Sequence, residues 1–308
     1  MPPLVTVMTP TYNSAAFIAD TVGSVLAQTY RNVEHVLVDD ASSDGTPDLL
    51  RELAAAHPDR VRVELRADRA GPCRRRNDAL GLARGELIAW LDHDDVWLTD
   101  KLERQVAALD ADAGAVLAFS QYETFDDGTG ETLFRSALDA DGDLYKRLFV
   151  EGCFIASSTV LFRRAAMERR ISKLRDSDFS FGDDYDLWLT LLLDGRALLV
   201  DDVLTRIRRH DANETTRIAE RNFHLDRVRL LEEHVAGQPD ATTRLGSGRR
   251  QGFAAHYAAA AGFEFARGHR ADAVRLALSA IRRRPVAAVR FLAGTARRKL
   301  RGRATDQT

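Results

Sequence analysis

Four short apolar runs, residues 4–9, 33–38, 61–65 and 87–91, alternate with stretches whose apolar residues recur at helical spacing. This rhythm constrains the fold more than any other feature, because strands that alternate with helices read as a parallel α/β sheet with helices on its faces. Between residues 15 and 28, Phe17, Ile18, Val22, Val25 and Leu26 fall on one helical face, with Asn13 or Ser14 suited to the N-cap. The turn Ser42-Ser43-Asp44-Gly45 leads to a second helix near Pro47, and a third helix is expected over 76–83. Open α/β sheets bind ligands outside the carboxyl ends of their strands. Three runs end there in polar groups: Thr11-Tyr12-Asn13, Asp39-Asp40 and Asp92-His93-Asp94-Asp95.

Beyond Trp97 the alternation weakens. Residues 115–119, 159–162 and 197–200 read as strands, and 184–193 as a helix with Leu187, Leu191 and Leu192 inward. From about Asn222 the chain is rich in Ala, Leu and Arg with helical periodicity, broken near Gly246, Gly248, Gly268 and Pro285. The expected division is a catalytic-type α/β domain over 1–218 and a helical extension over 219–308.

Charge and cysteine usage narrow the classes. The net charge of −2 argues against a general nucleic-acid binder, yet residues 266–308 hold twelve Arg or Lys against only Asp272 and Asp306. Pro285 is expected to start a helix with a basic polar side, and residues 281–303 can lie on an anionic membrane surface or pack as a solvated terminal helix. Cys73 and Cys153 are too few for a disulfide framework and lack zinc-type spacing. No apolar run reaches the roughly 18 residues of a membrane span, and residues 1–8 lack signal-peptide character. The expected setting is cytoplasmic, or peripheral to the inner face of the membrane. The absence of G-x-x-x-x-G-K-[ST] and of G-x-G-x-x-G after the first strand argues against P-loop and dinucleotide enzymes.

Asp92, Asp94 and Asp95 at a strand end repel one another unless a cation or donors neutralise them, and such clustered oxygens suit Mg²⁺ or Mn²⁺. A solvated acidic turn with Asp94 or Asp95 capping the next helix has the same pattern. Trp90, Trp97 and Trp188 read as packing residues. Ser157, Ser158 and the cysteines have no base partner visible in the sequence, so nucleophilic catalysis is unsupported.

The ordered set Thr9-Pro10-Thr11-Tyr12-Asn13, Val38-Asp39-Asp40, Ala89-Trp90-Leu91-Asp92-His93-Asp94-Asp95 and Gly182-Asp183-Asp184-Tyr185 closely resembles the GT-A family 2 glycosyltransferases over residues 4–212. The resemblance implies a GT-A, Rossmann-like, mostly parallel sheet and inverting transfer from a nucleoside-diphosphate sugar, a uridine diphosphate sugar being the family's commonest donor. By the same resemblance Pro10, Thr11 and Tyr12 lie against base and ribose, and Asp40 hydrogen-bonds the base. Asp92 and Asp94 match the DxD pair that holds a divalent metal against the diphosphate, with Asp95 as a further candidate. Arg76 matches a residue placed for phosphate, His210 a third metal ligand, and Arg208 or Arg209 phosphate contacts. Asp184 corresponds to the general base, while Asp183 replaces the usual Glu and reads as a helix N-cap.

The implied partners are the sugar nucleotide and a saccharide or lipid-linked saccharide acceptor, as in cell-envelope polysaccharide synthesis. The helical part can also serve as a homodimer interface. A nucleotidyltransferase would be expected to carry a glycine-rich phosphate loop, and residues 9–13 contain no glycine. A catalytically idle sugar-nucleotide scaffold would not need both Asp94 and Asp184.

Overall fold

Residues 5–11 carry Val, Thr and Met side chains that fit a pleated surface buried on both sides. They form the strand β1 (Val5–Thr11), in which every residue is buried. In this computed structural model, which describes residues 2–175, 182–211 and 223–284, β1 lies between two parallel partners. These are β2 (Val33–Asp40) and β4 (Leu87–Trp90), and β3 (Val61–Arg66) continues the parallel array beyond β2. The crossovers are α1 (Ile18–Leu26), α2 (Thr46–Ala56) and α3 (Pro72–Leu82). In the order β3-β2-β1-β4 the carboxyl ends of β2, β1 and β4 are neighbours. Asp40, Thr11 and Asp92 are therefore brought to one edge.

The sheet continues with β8 (Leu161–Arg163), antiparallel to β4 and followed by the short helix α6 (Arg164–Glu168), then β6 (Ala115–Asp126), β9 (Arg196–Arg209) and β5 (Val96–Trp97), while β7 (Thr132–Arg135) pairs with β6. The long ladders, β1 with β2, β2 with β3 and β6 with β9, are all parallel. A core cluster joins Val5, Val7, Leu87, Ala89 and Leu91 to Leu102, Val106 and Leu109 of α4 (Lys101–Ala111). A second joins Ile18, Val22, Leu37, Leu50 and Val61.

Several local expectations give way to turn chemistry. Strand β1 runs through Pro10, which is tolerated because β4 pairs with β1 only as far as Met8. Helix α1 begins at Ile18, with Phe17 at the N-cap, instead of at residue 15. The Asn13 side-chain Oδ1 accepts from Ser43 N–H at 2.9 Å and Ser14 N–H donates to Thr46 Oγ1 at 2.8 Å, so both are committed to the neighbouring turn. Helix α3 begins four residues before the expected Arg76, because Gly71 at φ 87° sets up Pro72 at its first turn. Helix α4, not expected from the sequence, buries the apolar stripe Leu102, Val106 and Leu109 together with the polar Lys101 and Gln105.

Lys101 at the start of α4 is fully buried, with Nζ 2.7 Å from Gln105 Oε1 and 4.1 Å from the Trp97 ring centroid. Burial drives its pKa well below the ordinary lysine value. The unfolded chain then binds one more proton than the folded chain in the window below the ordinary lysine pKa, so this residue makes stability rise with pH there. Urea midpoints at pH 7 and pH 9 should show that rise in the wild type and a flatter response in Lys101→Met; identical slopes would refute the lowered pKa.

Contacts divide the chain into a sheet unit, residues 1–144 with 155–211, and a helical unit, residues 145–154 with 212–308. The sequence boundary near 218 falls outside the described residues, as does the tail from Pro285. The helical unit takes in most of α5 (Leu144–Glu151) and includes α8 (Phe223–Gly237), α9 (Ala241–Leu245), α10 (Gly248–Ala266) and α11 (Arg270–Arg283). Ala258, Ala260 and Ala261 of α10 meet Ala280 and Leu276 of α11, small residues that let the two helices pack closely. Phe149 of α5 packs edge-on against Phe253, with centroids 5.4 Å apart. Among the described residues no helix is long and apolar enough to cross a membrane.

Candidate active site

At the carboxyl edge the two acids ending β2 have different jobs. Asp39 accepts from Ser42 N–H at 2.9 Å and Ser42 Oγ at 2.5 Å, and from Thr11 Oγ1 at 3.1 Å, which fixes the turn after the strand. Asp40 accepts from Ala70 N–H at 2.7 Å and Arg75 Nε at 2.6 Å through Oδ1, and from Gly71 N–H at 2.9 Å through Oδ2. The Cβ-free Gly71 is what allows this loop to present both amides. Pro10 and Thr11 are buried beside it, and Tyr12 is half-buried with the Arg69 guanidinium 3.9 Å from its ring centroid. Neither Arg69 nor Arg75 stood out in the sequence, where both are lost among neighbouring arginines.

The acidic motif after β4 spreads its side chains in different directions. Asp92 accepts from Arg76 Nη2 at 2.8 Å and from Ser157 Oγ at 2.9 Å. Burial alone would raise this carboxyl, but Arg76 and Ser157 hold it below its ordinary value. Asp95 is buried, and its two oxygens accept from Ser158 Oγ at 2.6 Å and Arg208 N–H at 3.1 Å. Burial, reinforced by Asp94 and Asp92, pushes its pKa well above the carboxylate range. Asp94 lies beside His210, with Oδ2 and Nε2 3.0 Å apart, and His210 is backed by the Phe17 ring at 4.3 Å. Thus residues 116 positions apart meet because β9 ends where the acidic motif turns.

Arg208 does not stand free for phosphate. Its guanidinium contacts the Asp94 carbonyl at 2.8 Å, Asp127 at 2.6 Å and Asp20 at 3.1 Å, and sits about 5 Å from the Phe17 and Phe125 rings. Arg209 is exposed.

Helix α7 (Asp183–Leu192) starts at Gly182, whose φ of 100° takes the N-cap position expected for Asp183. Asp183 instead is the first helical residue, buried, and receives Arg76 Nη1 at 3.0 and 3.1 Å on its two oxygens. Arg76 thereby ties the first turn of α7 to Asp92, while its guanidinium lies 4.7 Å from the Trp90 ring centroid. Trp188 packs on Trp90 at 5.1 Å, as a core residue. Asp184, next in the chain, is half-buried and accepts from Tyr185 N–H at 2.7 Å. Burial, with the adjacent Asp183 charge, raises its pKa to about 6. A carboxylate poised there can take a proton from a hydroxyl near neutral pH.

Among the described residues no three His, Cys, Asp or Glu side chains form a metal cluster. The Asp94–His210 pair nonetheless has the donor chemistry for a hard divalent ion, which commonly takes only one or two protein ligands when substrate phosphates complete its shell. Asp92 and Asp95 are engaged by Arg76, Ser157, Ser158 and Arg208.

The model of glycosyl transferase family 2 matches residues 6–171, more than half of the chain. The chain belongs to glycosyl transferase family 2. This glycosyltransferase is 31% identical over 193 residues, 62% of its own length and 71% of the relative's, to the Escherichia coli protein WfaP, a UDP-Glc:alpha-D-GlcNAc-diphosphoundecaprenol beta-1,3-glucosyltransferase. The matched part spans 66 to 73% of the length of the first curated relatives. Among solved structures it is similar to the mannosyltransferase PcManGT of Pyrobaculum calidifontis, in complex with GDP-Man and Mn²⁺, with TM-score 0.63, 23% identity and 97% and 81% of the two chains covered. It is also similar to S. aureus TarS 1-349 in complex with UDP-GlcNAc, with TM-score 0.59, 15% identity and 92% of each chain covered. These likenesses identify the glycosyltransferase's sheet unit as a GT-A fold.

Proposed function

We propose that the enzyme moves a sugar from a nucleoside-diphosphate sugar to a hydroxyl of a saccharide acceptor by direct displacement with inversion. The observation that carries the reading is Asp184, a carboxylate of raised pKa at the start of α7, tied through Asp183 and Arg76 to the acidic motif. Asp184 takes the proton of the acceptor hydroxyl as its oxygen attacks the sugar, and no covalent enzyme intermediate is needed.

Asp40 Oδ2, which takes one internal donor, has capacity for a ring N–H of the base. Pro10, Thr11 and the Tyr12 ring flank that base and its ribose. Asp94 and His210 are the residues that would hold a divalent ion, with Asp92 alongside; Asp95 serves the fold. When bound, Mn²⁺ or Mg²⁺ supplies charge compensation for the departing nucleoside diphosphate. Arg76 is a positioning residue that fixes Asp92 and the α7 turn.

The activity of the relative WfaP supports a uridine diphosphate sugar as donor and a lipid-linked saccharide as acceptor. The reading sets the enzyme in the cytoplasm, near the inner face of the membrane, and the basic segment 281–303 supplies the contact; its part from Pro285 lies outside the described residues.

The pH profile of kcat/KM tests the base. Because Asp184 must be ionised and its pKa is raised from 3.8 to about 6, the rate should fall about tenfold per pH unit below that point. An ordinary aspartate would keep the rate level down to about pH 4. A profile that stays flat to that limit would remove Asp184 from the role.

A further inference from the structure

Within the helical unit a cleft of about 650 Å³ opens among α8, α9, α10 and α11. Its volume lies in the range that takes small organic ligands. Val235 and Phe253 give it an apolar wall, and Arg249, Arg250 and Arg283 line it with Glu232.

The charge distribution is unbalanced. Arg249 and Arg250 occupy the first turn of the 19-residue helix α10, where the helix dipole is already positive and no acidic residue is present. Both are exposed, and neither side chain has a hydrogen-bond or ion-pair partner among the described residues. Arg283 reaches the cleft from the last turn of α11, with its guanidinium 4.4 Å from the Tyr257 ring centroid and 5.9 Å from that of Phe253. Its Nη1 donates to the Ser279 carbonyl at 3.1 Å. Among the described residues the one carboxylate lining the cleft, Glu232, accepts from Tyr257 at 3.2 Å and lies 3.8 Å from Arg283. Glu232 thus offsets Arg283 and leaves the α10 pair uncompensated. Over residues 223–284 eleven arginines and no lysine face six acids. Paired guanidiniums at a helix N-terminus match the fork geometry of phosphate oxygens, whereas Phe253 and Val235 match a hydrocarbon.

We propose that this cleft binds the phosphoryl head of an amphiphile, with Arg249 and Arg250 on the phosphate oxygens and the first carbons of the chain against Phe253 and Val235. The head can come from a single phosphorylated lipid or from a phospholipid in a membrane; the recognised chemistry is the same. The assignment concerns the helical unit alone and does not rest on the catalytic reading.

The test is calorimetric titration of the full chain with geranyl diphosphate, and with inorganic pyrophosphate as the head alone, both in excess EDTA to silence metal-linked nucleotide binding. Geranyl diphosphate should bind at least about tenfold more tightly than pyrophosphate, and Arg249→Gln/Arg250→Gln should lose at least about tenfold of that affinity. An unchanged melting temperature and unchanged Mn²⁺-dependent nucleotide binding would establish that the double variant is folded. Arg283→Gln, which leaves the first turn of α10 intact, provides a second variant and should also weaken binding. Equal affinity for the two probes, no binding, or undiminished binding in the double variant would overturn the proposal. Sedimentation with phosphatidylglycerol-containing vesicles separates the two sources. Release of the protein by geranyl diphosphate supports a membrane headgroup, and continued vesicle binding with the cleft filled supports a single lipid.

Discussion

Asp184→Asn should lower kcat by about 10²–10⁴-fold, the range removed with a positioned general base, while nucleotide binding stays at the wild-type level. The same substitution should stabilise the fold. With its pKa raised from 3.8 to about 6, the Asp184 carboxyl holds a proton in the folded state through a window in which the unfolded chain has released it. Stability from this group is therefore highest at acid pH and falls as pH rises through about 6. Asparagine carries no charge to bury and can still accept from Tyr185 N–H. At pH 7.5 the variant should be more stable by about 1–3 kcal/mol, an advantage that vanishes toward pH 4. Loss of turnover together with a raised melting temperature is the signature of a carboxylate kept for chemistry. A variant that is inactive and less stable would indicate instead that the carboxylate holds α7 in place.

The largest stability effect is expected at Arg76. Its guanidinium joins Asp92 on the turn after β4 to Asp183 at the start of α7, at 2.8 to 3.1 Å, and is almost wholly buried. Arg76→Met leaves Asp183 buried without its cation, and breaking such a pair costs about 3–5 kcal/mol. Urea unfolding should show a loss of that size, and Arg76→Lys should recover part of it, since one ammonium cannot reproduce the fork that meets both carboxylates. Arg76 also holds down the pKa of Asp184 by its charge, so the acid limb of the rate profile should move upward in Arg76→Met. Loss of nucleotide affinity without loss of stability would return Arg76 to the phosphate contact expected from the sequence resemblance.

The parallel half of the sheet was legible because buried β-branched runs of 4 to 8 residues between amphipathic helices permit few other arrangements. Thr11, Asp40 and Asp92 were placed at one edge on the same ground, since they follow adjacent strands. What the sequence did not reveal depends on contacts between distant segments. The resemblance marks His210 as a candidate metal ligand, but its pairing with Asp94 appears only once β9 carries it there. The run Arg74-Arg75-Arg76 looks uniform, yet Arg75 is committed to Asp40 and Arg76 to Asp92 and Asp183. Asp94 and Asp95 are adjacent and chemically identical; only the positions of Ser158 and Arg208 send one into the protein and leave the other beside a histidine. Gly182 displaced Asp183 from the N-cap because its positive φ suits the turn that enters α7.

The most direct measurement is calorimetric titration with UDP and GDP, with Mn²⁺ and with EDTA, of the wild type, Asp94→Ala and His210→Ala. The account predicts that one nucleoside diphosphate binds in a metal-dependent way and that each substitution weakens this binding at least about tenfold. Binding that is equally tight in EDTA and unaffected by either substitution would contradict the assignment of Asp94 and His210. No binding of either nucleotide would contradict the proposed donor site as a whole.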